Sequence, residues 1–365
     1  MPRYAGEQGR RLPGQSRTGF EVPAPKPSRT PVYRWHMTDP RPVAASCPPL
    51  IAVTRRIPGT LRVAGASIRV AGDKVLSAQE LRDFARSATI LVTMYTDRVD
   101  DALLEAAGPQ LRGICNFAVG VDNFDIEACR RRGVIVTNTP NAVTEGTADM
   151  AWALALAVAR RVVEGDRFTR SGEWYRHGPL GMAEFMGLDF TGRTLLIVGA
   201  GRIGFATALR SRGWGMRVLY VARSRHWDFE LAPLAACRVT LEEGLAEADL
   251  VSVHVPLTPD TRHLIDARAI GLMKPTAILV NTARGPVVDE SALAAALKER
   301  RIWGAGLDVF EREPEVHPAL LGLDNVVMTP HLGSAATRYR EMMTEMVAEN
   351  AAAILSGREP PNRVC

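Results

Sequence analysis

Residues 194–204 read TLLIVGAGRIG, an apolar run followed at once by a glycine-rich turn. The run predicts a buried strand, and the residues after the turn predict a helix. A G-x-G-x-x-G turn in this setting is typical of dinucleotide-binding proteins. Its first glycine allows the tight turn, its second lets N–H groups approach a pyrophosphate, and its third lets helix and strand pack closely. The helix N-terminus also favours an anion. The residues that we predict to contact a dinucleotide here are Gly199, Gly201, Arg202, Ile203 and Gly204.

Apolar, strand-like runs with helical segments between most of them lie on both sides of this turn. The further runs lie at residues 90–93, 111–116, 133–137, 216–221, 249–255, 277–281, 304–309 and 325–328. Such alternation predicts parallel sheets, and the six strands from residue 194 onward predict a doubly wound sheet. A helix over 147–164, apolar nearly all round, is expected to be buried between domains. A last helix over 335–355 is expected to pack back on the first sheet.

The length of 365 residues exceeds what one hydrophobic core usually fills. We therefore predict an α/β protein of two doubly wound, Rossmann-like domains. The dinucleotide-binding domain, residues 147–331, is expected to be inserted into a discontinuous substrate-binding domain of residues 49–146 and 332–365. Residues 1–48, rich in Pro, Arg, Gly and Ser without an apolar period, predict a disordered basic tail.

The net charge of +5 does not indicate a nucleic-acid-binding surface. Residues 1–36 carry seven basic and two acidic side chains, so the other 329 residues carry 38 of each sign. This balance predicts no nucleic-acid partner for the folded part. The longest apolar run, at 150–159, is shorter than the roughly 20 residues needed to span a bilayer, which predicts no membrane partner.

The five cysteines are scattered along the chain and form no C-x-x-C pair. This pattern argues against a disulfide framework and against a zinc cluster, and it suits a reducing compartment. We therefore predict a cytoplasmic protein without a metal site.

The end of the second strand of the dinucleotide domain bears on the choice of cofactor. NAD enzymes place an acidic residue there, against the ribose 2′-hydroxyl. In this chain the position falls on Ala222, which is followed by Arg223, Ser224 and Arg225. A carboxylate would repel a 2′-phosphate, whereas two guanidinium groups and a hydroxyl can hold one through charge-assisted hydrogen bonds. We predict NADP(H) as the cofactor, with NAD as a weaker alternative.

Polar residues follow three successive strand-like runs near the end of the chain. Arg284 follows the run at 277–281, the acids from Asp308 to Glu313 stand at the end of the run at 304–309, and His331 follows the last run. Because ligands bind outside the carboxyl ends of parallel strands, we expect these side chains to form one site. Histidine titrates near neutral pH and suits a proton donor, whereas an arginine suits a carboxylate anchor.

Seven segments carry a resemblance to a known family. Three of them resemble the D-2-hydroxyacid dehydrogenases, namely MKPTAILVNTARG at 273–285, GLDVF at 306–310 and TPHLGS at 329–334. The other four are most similar to the glyoxylate and hydroxypyruvate reductases of that family, namely AVGVDN at 118–123, NTP at 138–140, DRF at 166–168 and SGEW at 171–174.

The resemblance implies a reductase that passes a hydride from a nicotinamide cofactor, here predicted to be NADPH, to carbon 2 of a small 2-oxo acid such as glyoxylate or hydroxypyruvate and forms the D-2-hydroxy acid. It implies that His331 gives the proton and that Glu313, rather than Glu311, orients the imidazole and favours its charged form. Asp308 is implied to accept from the nicotinamide carboxamide. The residues implied to bind the substrate are Val119 and Gly120, through their N–H groups, Arg284 and His331. The further residues implied to contact the dinucleotide are Pro256, Thr282, Ala283, Asp308 and Gly333.

The resemblance also implies a homodimer, with an arm near residues 165–190 as the contact. The loop at 94–96 and the arm at 177–188 differ among relatives. Phe185 and Met186 occupy a region in which some hydroxypyruvate reductases carry a tryptophan, so the identity of the 2-oxo acid stays open.

Two alternative functions remain. One is a dinucleotide-sensing corepressor of the same superfamily, which binds partners and barely turns over. The other is a D-3-phosphoglycerate-type dehydrogenase, against which Ala222 and the short segment after His331 argue.

Overall fold

Two parallel β-sheets organise the protein in a computed structural model that describes residues 48–365. The disordered tail predicted over residues 1–48 lies outside the described residues, apart from Pro48. Residues 48–365 form one compact unit that contains both sheets. The predicted α/β class with Rossmann-like parallel sheets is confirmed, and the domain boundaries stay a prediction.

The first sheet has five strands with three helices between them. The strands are β1 (Leu50–Val53), β2 (Ser67–Val70), β3 (Ile90–Thr93), β4 (Gly113–Asn116) and β5 (Ile135–Thr137), and the helices are α1 (Ala78–Ala85), α2 (Asp101–Ala107) and α3 (Ile126–Arg131). All neighbouring strands are parallel, in the order β2-β1-β3-β4-β5. Strands β3 and β4 are buried throughout, as continuous apolar runs in a sheet covered on both faces should be.

Three helices connect the sheets, where the sequence predicts one long helix over 147–164. They are α4 (Thr144–Ala159), α5 (Val162–Arg170) and α6 (Glu173–His177). That prediction is wrong about the extent of the helix. Arg161 adopts a left-handed φ of 53°, and its guanidinium pairs with Glu164, so the chain turns between α4 and α5. Helix α4 buries most of its length against the second sheet, because its apolar residues surround it.

The second sheet has seven strands, one more than the sequence predicts. They are β6 (Thr194–Val198), β7 (Arg217–Val221), β8 (Cys237–Arg238), β9 (Leu250–Val253), β10 (Ile278–Asn281), β11 (Gly304–Leu307) and β12 (Val326–Met328). The order is β12-β11-β10-β9-β6-β7-β8, all parallel. The chain therefore reverses its winding between β9 and β6, and a ligand crevice is expected at their carboxyl ends. The extra strand β8 is only two residues long and exposed, so it has no apolar run to reveal it.

Helices cover both faces of this sheet and close the chain. They are α7 (Arg202–Arg210), α8 (Trp227–Glu230), α9 (Leu241–Glu247), α10 (Ala267–Gly271), α11 (Glu290–Lys298), α12 (Pro318–Leu321) and α13 (Thr337–Leu355), with 3₁₀ turns at Ser211–Trp214 and Gly285–Val287. Helix α13 returns to the first sheet, where Met343, Val347, Ala351 and Ile354 join its core. Several strands are shorter than the predicted runs; β9, for example, covers Leu250–Val253 of the run at 249–255.

Candidate active site

The glycine-rich turn joins β6 to α7 and leaves open space at the helix N-terminus. Gly199 has a φ of 110°, which favours glycine, and an ideal Cβ on Gly204 would lie 2.2 Å from the carbonyl oxygen of Gly199. A Cβ on Gly201, by contrast, would meet no atom within 4 Å. Gly201 and Arg202 are exposed, whereas Ile203 packs against the core of the first sheet. The geometry fits a pyrophosphate at this turn.

The loop after β7 is held in place by an arginine that the sequence analysis missed. Arg238, on β8, donates from Nε to the carbonyl oxygen of Ala222 at 3.1 Å and from Nη2 to that of Arg223 at 3.0 Å. Arg223 and Ser224 are exposed. The loop thus presents Arg223 and Ser224 to solvent on a backbone that Arg238 fixes.

Arg225, in the same loop, is less free than the sequence suggests. Its guanidinium forms an ion pair with Glu230 and lies over the Trp227 ring, 4.1 Å from the centroid. Glu230 also accepts a hydrogen bond from the Tyr220 hydroxyl at 2.7 Å. Hydrogen bonds from Arg225 and Tyr220 lower the pKa of Glu230, which keeps it negatively charged. Glu230 therefore offsets part of the positive charge of this loop.

A histidine and a glutamate meet at the carboxyl end of the second sheet. His331 Nδ1 lies 2.8 Å from Glu313 Oε2, and both side chains are about three-quarters buried. Glu313 Oε1 also accepts from the Phe310 N–H at 3.1 Å, which fixes the carboxylate. Glu311 points elsewhere and accepts from the Glu290 N–H at 3.0 Å. Of the two glutamates, the structure thus places Glu313 against the histidine.

Asp308 holds the loop that carries His331. Its carboxylate, only 1% exposed, accepts from the Thr329 hydroxyl at 2.6 Å and from the N–H groups of Leu332 and Gly333, each at 2.7 Å. The His331 N–H donates to the Asp308 carbonyl oxygen at 2.8 Å, and His331 has a left-handed φ of 55°. Burial raises the pKa of Asp308, and the three hydrogen bonds oppose that rise.

The first sheet approaches the same histidine through Tyr95. This tyrosine follows β3, and its ring lies over the His331 ring with 4.4 Å between centroids and 35° between planes. Burial raises the pKa of Tyr95, so its hydroxyl stays protonated and can donate a hydrogen bond. Residues of both sheets therefore line the crevice at His331.

The side chain of Arg284, which follows β10, is held in one orientation by hydrogen bonds. Its Nε donates to Asp122 Oδ1 at 3.0 Å, and its Nη1 donates to the Ala283 carbonyl oxygen at 2.8 Å. The Arg284 carbonyl oxygen in turn accepts from Asn281 Nδ2 at 2.9 Å. A Cβ on Gly285 would lie 1.9 Å from the Phe310 carbonyl carbon, so the backbone after the arginine must be glycine.

The backbone of Val119 and Gly120 faces Arg284 from the first sheet. Asn138 Nδ2 donates to the Val119 carbonyl oxygen, and Asn116 Nδ2 donates to that of Gly120, each at 2.8 Å. The N–H groups of Val119 and Gly120 have no hydrogen-bond acceptor among residues 48–365. The Gly120 backbone lies against Arg284 Nη2, so two free amide donors and a guanidinium are neighbours, a set that suits a carboxylate.

The other residues predicted to contact the dinucleotide lie at neighbouring strand ends. Pro256 follows β9, Thr282 and Ala283 follow β10, and Gly333 follows β12. The Thr282 hydroxyl is buried and has no hydrogen-bond partner within the described part of the chain. A buried hydroxyl without a partner fits a position that a ligand would satisfy.

His254 lies beside the glycine turn but has a structural environment. Its Nε2 is 2.9 Å from the Ser252 hydroxyl, and burial lowers its pKa to about 3. The ring is therefore neutral at pH 7.

Among residues 48–365 no group of three or more His, Cys, Asp or Glu side chains is arranged to hold a metal ion.

Four residues that support the site were missed by the sequence analysis. They are Asn116, Asp122, Asn138 and Arg238. Asp122, Asn138 and Arg238 act on a residue of another loop or strand, and Asn116 acts on the loop that follows its own strand. Hydrophobic periodicity cannot reveal such contacts. Two signals could have drawn attention to them. Asn116, Asp122 and Asn138 lie at the carboxyl end of the first sheet, and the family-like segments AVGVDN and NTP contain Asp122 and Asn138.

Fold and site together define a dinucleotide-dependent oxidoreductase. The glycine turn, the His331–Glu313 pair and Arg284 all lie at the carboxyl edge of one doubly wound sheet. Residues 152–333 match the family model of the D-isomer specific 2-hydroxyacid dehydrogenase, NAD binding domain. None of the helices in the described part of the chain is both long and apolar enough to cross a membrane.

Known proteins of similar sequence and structure point to the same family. The chain is 48% identical over 324 residues to a glyoxylate reductase of Thermococcus onnurineus, covering 87% of this chain and 96% of that one. A Thermus thermophilus crystal structure superposes with a TM-score of 0.81 at 44% identity, covering 87% of this chain and all of that one. An NADPH-dependent glyoxylate/hydroxypyruvate reductase of Sinorhizobium meliloti, in complex with NADP and malonate, superposes with a TM-score of 0.76 at 32% identity, covering 87% and 97%.

This chain belongs to the D-isomer-specific 2-hydroxyacid dehydrogenase family. It is therefore an oxidoreductase that interconverts a 2-oxo acid and a 2-hydroxy acid with a nicotinamide dinucleotide.

Proposed function

We propose that the protein reduces glyoxylate, hydroxypyruvate or a similar small 2-oxo acid to the D-2-hydroxy acid with NADPH. The observation that carries this proposal is that Arg284, Glu313 and His331 follow three neighbouring parallel strands at one sheet edge, with His331 paired to Glu313 and the Gly120 backbone packed against Arg284. This set provides one proton donor and one carboxylate site in the same crevice. The similarity to glyoxylate reductases supports the choice of substrate.

Different residues of the site serve proton transfer and substrate binding. The reduced nicotinamide, when bound, supplies the hydride to carbon 2. Glu313 occupies His331 Nδ1, which leaves Nε2 to donate a proton to the oxygen that becomes the hydroxyl. Arg284 Nη2 and the two amide N–H groups hold the carboxylate, and the guanidinium stabilises negative charge on the substrate oxygen. Gly199, Gly201, Gly204 and the first turn of α7 would hold the pyrophosphate.

NADPH oxidation, followed by absorbance with glyoxylate, hydroxypyruvate and pyruvate, tests the proposal. We expect His331→Ala to lower kcat by about 10²–10⁴-fold. Glu313→Gln should also lower kcat strongly, whereas Glu311→Gln is a matched control on the same loop and should retain activity, because Glu311 does not contact His331. No turnover on any of these acids, or an unimpaired His331→Ala variant, contradicts the reductase function. Tight dinucleotide binding without turnover would instead favour the corepressor-like function.

NADPH preference rests on the loop at 222–225. No carboxylate stands at Ala222, and Arg223 and Ser224 are exposed on a fixed backbone. Arg223 therefore supplies the main contact to a 2′-phosphate, and Arg225 contributes less because Glu230 pairs with it. We expect kcat/KM to be higher with NADPH than with NADH, and Arg223→Gln to remove most of that difference. Equal or higher kcat/KM with NADH in the parent protein refutes this preference.

The arm between α5 and β6 supports a homodimer. Trp174, Tyr175, Met182 and Met186 are 48–94% exposed, an unusual concentration of large apolar side chains on a surface. A second copy of the chain covering this arm would bury them. Light scattering at micromolar concentration should report a dimer, and Tyr175→Glu combined with Met182→Glu should shift it towards monomer. A parent protein that is monomeric contradicts the dimer.

The cytoplasmic location stays a prediction.

A further inference from the structure

One ion pair connects the two sheets at the candidate site. Asp122 follows β4 of the first sheet, and Arg284 follows β10 of the second. Arg284 Nε lies 3.0 Å from Asp122 Oδ1, and the side chains are 24% and 33% exposed. Among the ion pairs within residues 48–365, it is the one that joins a loop of the first sheet to a loop of the second.

This contact determines which part of the guanidinium can bind a ligand. Nε is taken by Asp122 and Nη1 by the Ala283 carbonyl oxygen, so Nη2 is the nitrogen left without a protein acceptor among residues 48–365. An ideal Cβ on Gly120 would lie 1.8 Å from that nitrogen, so Nη2 packs directly against the Gly120 backbone. A bound carboxylate would meet Nη2 next to the free N–H groups of Val119 and Gly120.

Asp122 also places a negative charge beside the cation that is to bind a negative substrate. An acid 3.0 Å from the guanidinium reduces the attraction that Arg284 exerts on a carboxylate. The same acid prevents rotation of the guanidinium by accepting from Nε. Orientation favours substrate binding, whereas partial neutralisation weakens it, so the two effects have opposite signs.

We propose that Asp122 is a positioning residue that orients Arg284 and at the same time limits the strength of its carboxylate binding. The inference rests on the proposed role of Arg284 as the carboxylate anchor. A limited affinity suits a site whose substrate and product carry the same carboxylate, because a very strong anchor would retain the product as firmly as the substrate.

Two substitutions separate orientation from charge. Asp122→Asn keeps an oxygen that accepts from Nε but removes the charge, so carboxylates should bind more tightly. Asp122→Ala removes both the accepting oxygen and the charge, and this variant should bind carboxylates more weakly. The measurements are the KM for glyoxylate and the inhibition constant for oxamate, a non-reacting 2-oxo acid analogue, at saturating NADPH. We expect about a threefold to fivefold decrease for the Asn variant and a larger increase for the Ala variant, the modest size reflecting a partly exposed pair.

Asp125→Asn is the matched control for the loss of one negative charge. Asp125 lies on the same loop and caps α3 through the Ala128 N–H at 2.8 Å, a role that asparagine also fills. Its substitution should leave the oxamate inhibition constant unchanged. If Asp125→Asn lowers that constant as much as Asp122→Asn does, the effect is a general one of charge and the inference is overturned.

Arg284→Gln distinguishes failure of this inference from failure of the proposed function. If Arg284→Gln does not raise the oxamate inhibition constant, the anchor role itself is wrong. The expected result is that Arg284→Gln raises the oxamate inhibition constant. In that case the role of Asp122 alone is wrong if Asp122→Asn does not lower this constant, or if both Asp122 variants change it in the same direction. Should the Ala variant not fold by circular dichroism, the Asn variant decides alone, and an unchanged or higher constant overturns the inference.

Discussion

Replacing Asp308 with asparagine should lower both the stability of the protein and its catalytic rate. The Asp308 carboxylate is 1% exposed and accepts three hydrogen bonds, from Thr329, Leu332 and Gly333. An asparagine in the same position offers one accepting oxygen. With that oxygen at the Oδ1 position, the amide group would face the Gly333 N–H, which lies 2.7 Å from Oδ2 in the parent protein. Two donors would then oppose each other in a buried place.

The size of the effect follows from these contacts. One buried N–H left unpaired costs about 1–3 kcal/mol, and the two remaining hydrogen bonds weaken because their acceptor is no longer charged. Relief of the buried charge, the same burial that raises the pKa of Asp308, offsets part of this loss. We therefore expect Asp308→Asn to lower the free energy of unfolding by about 2–4 kcal/mol.

The same substitution should impair proton transfer, because the loop that it loosens carries His331. The His331 N–H donates to the Asp308 carbonyl oxygen, and the Leu332 and Gly333 N–H groups hold the next two residues. We expect kcat to fall at least about 10²-fold, the lower end of what a positioned acid contributes.

Urea unfolding followed by circular dichroism, together with the NADPH oxidation assay, measures both effects. Asp266→Asn is the matched control. Asp266 is exposed and accepts one N–H, from Ala269, as the N-cap of α10. Asparagine caps helices about as well, so the control should change the free energy of unfolding by less than about 0.5 kcal/mol. An Asp308→Asn variant that unfolds like the control, with unchanged kcat, refutes the role assigned to this carboxylate.

Three further predictions address the cofactor site and the dependence of stability on pH. Gly201→Ala should weaken NADPH binding at least about tenfold in a fluorescence titration while the melting temperature stays unchanged, whereas Gly204→Ala should lower the melting temperature, because only its Cβ meets protein atoms. The pKa of His254 is lowered from 6.5 to about 3, so the unfolded chain binds a proton there that the folded protein does not. The parent protein should therefore lose up to about 1.4 kcal/mol of unfolding free energy per pH unit below 6.5, and His254→Gln should lose less in urea titrations at pH 7 and pH 5. Arg238→Gln should raise the KM for NADPH about fivefold or more and leave that for NADH within about twofold, because Arg238 holds the backbone of the loop that we propose to bind the 2′-phosphate.

Each of these predictions has its own contrary result. Equal loss of NADPH binding in both glycine variants, with equal melting temperatures, would contradict the assignment of open space to Gly201 and close contact to Gly204. The same loss of unfolding free energy on acidification in the His254→Gln variant as in the parent would show that this histidine does not titrate as described. An equal rise of both KM values in the Arg238→Gln variant would make the residue a general support of the fold.

The residues that we propose to carry the chemistry can be named from the sequence, because local patterns indicate them. Gly199, Gly201 and Gly204 follow an apolar run, and Arg284 and His331 each follow another, so parallel-sheet topology alone predicts that they share an edge. The choice between Glu311 and Glu313 was different in kind. Strand ends do not distinguish the two glutamates, whereas the family resemblance selects Glu313, and the structure places Glu313 2.8 Å from His331.

Local sequence patterns did not predict where the helix after residue 147 ends, nor that strand β8 exists, because both depend on contacts with other parts of the fold. The predicted long helix at 147–164 ends at Ala159, because Arg161 turns the chain and pairs with Glu164. Strand β8 has no apolar run because it is two residues long at the exposed edge of the sheet. In both cases hydrophobic periodicity reports burial and not the path of the backbone.

Local patterns in the sequence suffice to predict the α/β class with parallel sheets, the glycine-rich turn and the strand-end positions of Arg284 and His331. The contacts that hold these residues become visible only in the folded protein. Arg284 is oriented by Asp122, 162 residues away, and the loop at Ala222 by Arg238, 16 residues away. The physical reason is that periodicity records the face on which a side chain lies, whereas a contact between distant loops exists only once the strand order brings their ends together.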